Sequence, residues 1–295
     1  MRNRRGERAL KFGFVIPGGR ATEIVAMASE LEKAGWDGAF YYDDIYTDGK
    51  TELSAAWPIV TAMAMTTKRI VVGSLLTAVG RRRPWELARE SVTVDWLSNG
   101  RLVIPTGLGA VDDGAYTKAG MPAERRVRAE MLDESLEILD GLWSGRQFHY
   151  AGKYNQIKAM KFIPGPLQRP RIPIWVVGAW GRPKSMRRAL KYDGLIPVIK
   201  KKDGSHEEIK PEDIRDMCAY VDANRRVKGR MRAGFDIVKD GTTPANNREA
   251  REIVEPFAEA GATWWVESMW GYKNLREVRH RIRAGPPMKS QARSV

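Results

Sequence analysis

The stretch "IPIWVVGAWGRPKSMRRALKYDGLIP", residues 172–197, contains the pattern that decides the fold. An apolar run without alternation, Ile172 to Val177, ends in glycine and a loop, and then come a basic helical segment and a second apolar run. Unbroken apolar strands are typical of a sheet that is covered on both faces. The stretch therefore predicts a β-α-β unit of a parallel sheet, with glycine and basic residues directly after the first strand.

The same alternation of short apolar runs and helical segments continues along the chain. Strands are predicted over 11–16, 37–43, 69–77, 101–106, 172–178, 194–199, 233–238 and 263–269. Helical periodicity is clearest over 21–34, 84–98, 125–143, 183–191, 211–226, 246–260 and 274–283. Eight β-α units in 295 residues predict an α/β fold, a (β/α)₈ TIM barrel. A doubly wound sheet is the alternative, but no G-x-G-x-x-G follows the first strand.

Two segments are longer than the loops that such barrels prefer. One is 107–124, after strand four, and the other is 144–171, between helix four and strand five. Barrel chemistry lies at the C-terminal ends of the strands, so the first insertion is expected at the active face and the second begins on the opposite face. We expect one barrel domain over 11–285, a basic N-terminal tail over 1–10 and a C-terminal tail over 286–295.

The composition limits the possible partners. The formal net charge is +14, but the basic residues are dispersed and not interleaved with aromatic side chains. A solvated basic surface, or attraction of an anionic small molecule, therefore explains the charge better than nucleic-acid binding does. One cysteine, Cys218, and three scattered histidines predict no disulfide and no metal site. No apolar run reaches the ~20 residues that span a bilayer, so we expect a cytoplasmic protein without membrane contact.

The residues just after the predicted strands are rich in glycine and aromatic groups and contain no histidine. Such a set suits a flat, conjugated ligand better than hydrolysis. After the fifth strand, Gly178 and Gly181 would let the main chain approach a ligand, and Arg182 at a helix start would attract an anion. An ordinary β-α turn followed by a solvated basic helix explains the same pattern equally well.

Acidic residues stand at or just after the ends of three of the predicted strands, 37–43, 233–238 and 263–269. Asp43 and Asp44 are the only paired carboxylates at a strand end. Adjacent carboxylates can raise one pKa, which would support proton transfer, whereas a turn or helix cap is the simpler interpretation. Glu267 follows Trp264 and Trp265 and is expected either at the active face or in a salt bridge to an arginine. The two tryptophans must point to opposite sides of their strand.

Five segments in order resemble the luciferase-like monooxygenase family, whose members are flavin- or F420-dependent oxidoreductases. They are "AGWDGAFYYDD", "TTKRIVVGSLLTAVGRRRPWELARESVTVDWLSNGRL", "RRVRAEMLDESLEILDGLWSG", "PGPLQRPRIPIWVVGAW" and "KYDGLIP". The similarity spans about residues 11–285. It implies a TIM barrel that binds FMN or F420 and acts on a small organic substrate, by oxygen insertion with reduced FMN or by hydride exchange with F420. A separate flavin or F420 reductase and a homodimer are implied as well.

The resemblance also implies which residues contact the cofactor. In the family the third strand ends in a bulge behind the cofactor ring, often with a non-proline cis peptide, and Ser74-Leu75-Leu76 matches that position. The loops after strands four and five also meet the cofactor, the latter at its phosphate. The implied cofactor-binding residues are Asp43, Ser74, Leu75, Leu76, Thr106, Gly107, Leu108, Gly178, Ala179, Trp180, Gly181 and Arg182.

One position departs from the family pattern. After the second strand the family often has Asp-His, where this chain has Asp43-Asp44. If that histidine moves a proton in relatives, Asp44 is the candidate catalytic residue here. An aspartate has an ordinary pKa of about 4 and needs burial to act as an acid at neutral pH. A non-catalytic flavin- or F420-binding protein of the same fold is the alternative function, and nucleic-acid binding is a third.

Overall fold

The computed structural model describes residues 9–48, 52–201, 205–225 and 234–288, so most of both predicted tails lies outside the described residues. The strands are β1 (Lys11–Val15), β2 (Gly38–Tyr41), β3 (Val71–Ser74), β4 (Ile104–Thr106), β5 (Gln147–Ala151), β6 (Gln156–Lys161), β7 (Ile174–Ala179), β8 (Gly194–Lys200), β9 (His206–Glu207), β10 (Asp236–Gly241) and β11 (Trp264–Ser268). The helices are α1 (Ala21–Lys33), α2 (Ala56–Thr66), α3 (Pro84–Leu97), α4 (Gly114–Thr117), α5 (Arg125–Trp143), α6 (Pro183–Leu190), α7 (Pro211–Asn224), α8 (Asn247–Ala260) and α9 (Leu275–Ala284).

Eight strands form the sheet that was predicted, in the order β3-β2-β1-β11-β10-β8-β7-β4. Isolated parallel bridges join Val72 to Leu102 and Thr77 to Thr106, so the order returns from β4 to β3. Each of the eight strands is followed by a helix. The (β/α)₈ barrel is therefore confirmed, and the doubly wound sheet is wrong.

Residue contacts divide the chain into two compact units. The first unit comprises residues 9–17 and 26–40 and the described residues from 175 onward, and the second comprises 18–25 and 41–174. The single domain over 11–285 stays a prediction.

The centre of the first unit is built from aromatic side chains. The Trp264 ring lies 5.1 Å from the ring of Trp175 and 6.4 Å from that of Phe40. The next residue, Trp265, contacts Phe257 of α8 instead, at 5.6 Å between ring centroids. Both tryptophans are buried. The prediction that they point to opposite sides of β11 is confirmed, as the alternation of a strand requires.

In the second unit, one arginine caps the C-terminal ends of two helices. The Arg101 guanidinium donates to the carbonyl oxygens of Ala64 at 2.7 Å and Thr67 at 3.0 Å, at the end of α2. It also donates to Ile70 O and, through Nε, to Ser98 O at the end of α3, each at 2.7 Å. Helix ends leave carbonyl groups without intrahelical partners, so Arg101 satisfies several of them at once.

Two of the family segments quoted above contact each other in the second unit. The buried Asp95 accepts hydrogen bonds from the Leu167 and Gln168 amides at 2.7 and 3.0 Å. The Gln168 side chain donates to the other Asp95 oxygen at 2.7 Å. The pairing fixes the end of the second insertion against α3.

The two insertions have secondary structure of their own. Residues 144–171 contain the antiparallel hairpin of β5 and β6, and the 107–124 loop contains the short helix α4. The hairpin packs on α5, where a side chain at Gly141 would lie 2.0 Å from the Phe148 ring. Along the described part of the chain, no helix is both long and apolar enough to cross a membrane.

Candidate functional site

The predicted site residues divide between the two units. Those that follow β2, β3 and β4 belong to the second unit, and those of the 178–182 segment belong to the first. The structure therefore brings each group together within its own unit.

Asp43 follows the end of β2 and is buried between two arginines. Its Oδ1 lies 3.1 Å from Arg81 Nη2 and its Oδ2 lies 3.6 Å from Arg82 Nη1. Arg81 also donates to the main-chain oxygen of Asp43 at 2.5 Å. Although buried, Asp43 Oδ2 has no hydrogen-bond partner among the described residues. It is a buried acceptor whose hydrogen-bonding capacity is not used by the described residues.

Asp113, which the sequence did not single out, completes this cluster. One oxygen pairs with Arg81 Nη1, and the other accepts hydrogen bonds from the Ile45 and Tyr46 amides at 3.0 and 3.2 Å. Two features of the sequence could have pointed to the Arg81–Asp113 pair: the arginine run that begins at Arg81 and the acidic pair in the 107–124 loop. Neither shows that residues 32 positions apart would meet.

Asp44 lies between these anchored residues and is half-buried. Burial is the main cause that raises its pKa above the ordinary range, and the negative charge of Asp113 adds to it. Arg81 opposes this effect, while Asp43 and Asp112 reinforce it. A carboxyl with a raised pKa keeps its proton to a higher pH, which is the property expected of an acid catalyst.

The bulge expected at the end of β3 is present. The Leu75–Leu76 peptide is cis and does not involve proline, as the resemblance implied. Ser74 is 2% exposed, and its hydroxyl has no partner within the part of the chain that is described. The Leu75 amide donates to Tyr41 O at 2.9 Å, which places the bulge beside the end of β2.

After β4, the predicted residues are held by internal contacts. The buried Thr106 hydroxyl donates to Thr77 O at 2.7 Å. Leu108 O accepts from the Tyr116 hydroxyl at 2.9 Å and from Arg128 at 3.3 Å. Burial raises the pKa of Tyr116, so its phenol stays neutral and donates. Side chains and carbonyls of this loop are thus used to fix the loop itself.

In the first unit, packing within the unit accounts for much of the 178–182 segment. A side chain at Gly178 would lie 2.3 Å from Leu195 Cδ1. Packing against Leu195 therefore explains the glycine at this position as well as the approach of a ligand does. The amides of Ala179, Trp180 and Arg182 donate to Ser185 Oγ, Val198 O and Ala179 O at 3.0, 2.9 and 3.0 Å. Gly181 has a φ of 71°, in the left-handed region. Phosphate binding by this segment stays a prediction.

Glu267, at the end of β11, is paired with an arginine. It lies 3.4 Å from Arg281 Nη2 and accepts two hydrogen bonds from Thr243, at 2.5 and 2.7 Å. Glu267 and Arg281 are both almost wholly buried. Of the two expectations for Glu267, the salt bridge is confirmed.

The family model described as luciferase-like monooxygenase matches residues 10–292. The chain belongs to this family. Its recognition from the five sequence segments is therefore confirmed.

Among relatives of this luciferase-like protein is an F420-dependent glucose-6-phosphate dehydrogenase from Mycolicibacterium smegmatis. It is 29% identical over 216 residues, which cover 71% of this chain and 62% of the relative. A 5,10-methylenetetrahydromethanopterin reductase from Archaeoglobus fulgidus is 27% identical over 263 residues, covering 86% of this chain and 71% of the relative. The chain spans less than two thirds of the first relatives that it matches.

The luciferase-like chain is also similar to a solved F420-dependent secondary alcohol dehydrogenase in complex with an F420-acetone adduct. The TM-score is 0.74 at 16% identity, with 95% of this chain and 99% of that chain covered. At that identity the likeness shows the fold, and it agrees with the barrel described above.

Proposed function

We propose that the chain is an FMN- or F420-dependent oxidoreductase acting on a small organic substrate, and that hydride transfer with F420 is its reaction. The observation that carries the proposal is a pair of buried polar atoms, Asp43 Oδ2 and Ser74 Oγ, that lack partners among the described residues. Buried polar atoms in proteins are nearly always hydrogen-bonded. A ligand with polar groups would satisfy them, and the F420-dependent relative supports F420 as that ligand.

The residues of the second unit fit such a ligand. Ser74 and Asp43 offer a hydroxyl and a carboxylate oxygen, and Arg81 and Arg82 hold the Asp43 carboxylate in place. The Leu75–Leu76 bulge, which follows β3 and lies beside the end of β2, adds apolar surface of the kind that a planar ring packs against.

Asp44 is the proposed proton donor. When bound, reduced F420 supplies a hydride, and reduction of a carbonyl to an alcohol also needs one proton. The half-buried Asp44 carboxyl has a raised pKa and so holds a proton to a higher pH than an exposed aspartate does. In the opposite direction, its carboxylate accepts the proton that the alcohol releases.

Binding is tested by titrating the purified protein with F420 and, separately, with FMN, and following the fluorescence of each. We expect F420 to bind, and Ser74→Ala to weaken binding about five- to tenfold, the effect of one hydrogen bond. Ser144→Ala is the matched control, because Ser144 donates to Gly141 O at the end of α5. Failure of both cofactors to bind, or equal affinity in the Ser74 variant, would contradict the proposal.

Turnover is tested with F420 and a panel of small alcohols, ketones and sugar phosphates. We expect Asp44→Asn to bind F420 normally but to slow turnover about a hundredfold or more. Carbonyl reduction should decline as the pH rises through the Asp44 pKa, because the acid then loses its proton. Asp48→Asn, which changes an exposed carboxylate of the same loop, is the control and should be unaffected.

The same assays separate the alternatives. Binding of F420 without turnover of any substrate would favour the non-catalytic binding protein. Oxygen insertion with reduced FMN would favour the monooxygenase reaction. The homodimer, the separate reductase, the cytoplasmic location and the lack of nucleic-acid binding remain predictions from sequence.

A further inference from the structure

The main chain on both sides of Asp44 is anchored. On one side, Arg81 holds Asp43 by an ion pair at 3.1 Å and by a hydrogen bond to its carbonyl oxygen at 2.5 Å. On the other side, Asp113 accepts the amide hydrogens of Ile45 and Tyr46. Arg81 and Asp113 also pair with each other. A single buried ion pair thus fixes the segment that carries Asp44.

The approach of the two loops depends on a glycine. The Gly114 amide donates to Tyr46 O at 2.8 Å, and a side chain at Gly114 would lie 2.4 Å from Tyr46 Cβ. Asp113 also accepts from the Ala115 amide, which caps α4. A hydrogen bond within its own loop therefore orients the Asp113 carboxylate, which in turn binds the amides of the 45–46 segment.

We propose that Asp113 is the positioning residue for Asp44, fixing the 44–46 segment through two amide hydrogen bonds and placing a buried negative charge beside the Asp44 carboxyl. The proposal rests on the proposed function, in which Asp44 moves the proton. It adds a residue of the 107–124 insertion to that function. Asp113 does not itself transfer the proton.

The charges around Asp44 support this role. Burial raises the Asp44 pKa most. The carboxylates Asp113, Asp43 and Asp112 raise it further, with Asp113 the strongest of them, and Arg81 lowers it. Asp113 and Asp43 are both buried against Arg81, whereas Asp112 is exposed. Water screens a buried charge less than an exposed one.

Two substitutions separate geometry from charge. Asp113→Asn keeps an oxygen that can accept the Ile45 and Tyr46 amides but removes the negative charge. Asp113→Ala removes both. Asp112→Asn is the matched control, because it makes the same change of charge one residue away, on a side chain for which no bond to the 45–46 segment is seen.

The first readout is the protonation of Asp44, which carboxyl ¹³C NMR of aspartate-labelled protein monitors. The Asp44 signal is assigned by its loss in Asp44→Asn. We expect Asp113→Asn to lower the Asp44 titration midpoint by about one pH unit, since it removes a nearby like charge and leaves Arg81 with Asp43 as its remaining carboxylate partner. Asp112→Asn should shift it by less than half as much. An unmoved midpoint in Asp113→Asn, or equal shifts in both variants, would overturn the proposal.

The second readout is amide hydrogen exchange at Ile45 and Tyr46. Protection should persist in Asp113→Asn and be lost in Asp113→Ala, and protection that survives in both would also overturn the proposal. Neither measurement needs a cofactor. Failure of F420 binding or turnover in the wild type would therefore count against the proposed function, whereas an unchanged Asp44 titration would count against Asp113 alone.

Discussion

Leu195 Cδ1 occupies the space that a side chain at Gly178 would need, since an ideal Cβ at Gly178 lies 2.3 Å from it. The same Cβ would lie 3.0 Å from Met186 Sδ of α6. Gly178 therefore lets β7 and β8 pack against α6 at close range. This makes Gly178 unsuitable as a probe of cofactor binding, because any larger residue would first disturb the packing.

We expect Gly178→Ala to lower the free energy of unfolding by about 1–3 kcal/mol, the range for overfilling a packed core. Urea denaturation followed by tryptophan fluorescence measures it. Gly271→Ala is the control, because no atom of the described residues, apart from its chain neighbours, lies within 4 Å of its Cβ position, and it should change stability by less than about 1 kcal/mol. Equal stability of the two variants would show that Leu195 moves aside freely.

The second prediction concerns Arg101 and the carbonyl groups to which it donates hydrogen bonds. Lysine at this position keeps the charge but cannot reach Ala64, Thr67, Ile70 and Ser98 together, because it lacks the planar fork of a guanidinium. Arg101→Lys should therefore lower the free energy of unfolding by about 1.5–3 kcal/mol, measured by the same denaturation.

Arg83→Lys is the matched control for that experiment. Arg83 is 71% exposed in its side chain and pairs only with Glu86, one turn along α3, in the contacts that are described. Its replacement should change stability by less than about 0.5 kcal/mol. If both lysine variants were equally stable, the role of Arg101 in capping the ends of α2 and α3 would be refuted.

The sequence predicted the strands well because parallel strands that are buried on both faces are unbroken apolar runs. It gave no bounds for α2, since the apolar residues of that helix, among them Trp57, Ile59 and Met63, are buried and leave no polar stripe to mark a period. The five segments were recognised as typical of the family, but the sequence did not show which contacts their residues make. Asp95 and Gln168 are 73 positions apart, and no local pattern joins them.

The candidate site was predicted in part for the same reason. Asp43 and Asp44 were found because they stand at the end of a strand, where barrel chemistry lies, and Ser74 was found through the resemblance to the family. Asp113 lies in an insertion without periodicity, and Arg81 belongs to a run of arginines that resembles any solvated basic surface. Only the fold shows that Asp113 and Arg81 pair and that the exposed Asp112 does not take this place.

The third prediction concerns the contact of the hairpin with α5. Glu130 accepts hydrogen bonds from Arg126, Lys153 and the Tyr154 hydroxyl at 2.9, 2.9 and 2.8 Å. These lower its pKa from 4.5 to about 2, with Arg126 the largest cause. Because the folded pKa is depressed, the stabilisation is present above about 4.5 and is lost as the pH falls towards about 2.

We therefore expect the stability difference between wild type and Glu130→Gln to shrink as the pH is lowered through this window. Urea denaturation at several pH values measures it. Glu252→Gln, which removes an exposed pair with Arg248 on α8, controls for the loss of one surface carboxylate. A difference that stays constant from neutral pH to pH about 2 would refute the assignment of the effect to Glu130 ionisation.

The fourth prediction concerns the ion pair of Glu267 and Arg281. Burial raises the pKa of Glu267 and lowers that of Arg281, so removal from water opposes both charges and their attraction only partly offsets it. Glu267→Gln keeps the shape but leaves a buried guanidinium without its counter-charge, which should cost about 3–5 kcal/mol of stability. The double variant with Arg281→Met removes both charges, and it should be more stable than the sum of the single effects predicts. Denaturation of all four proteins gives this coupling, and strictly additive effects would mean that the two side chains act independently.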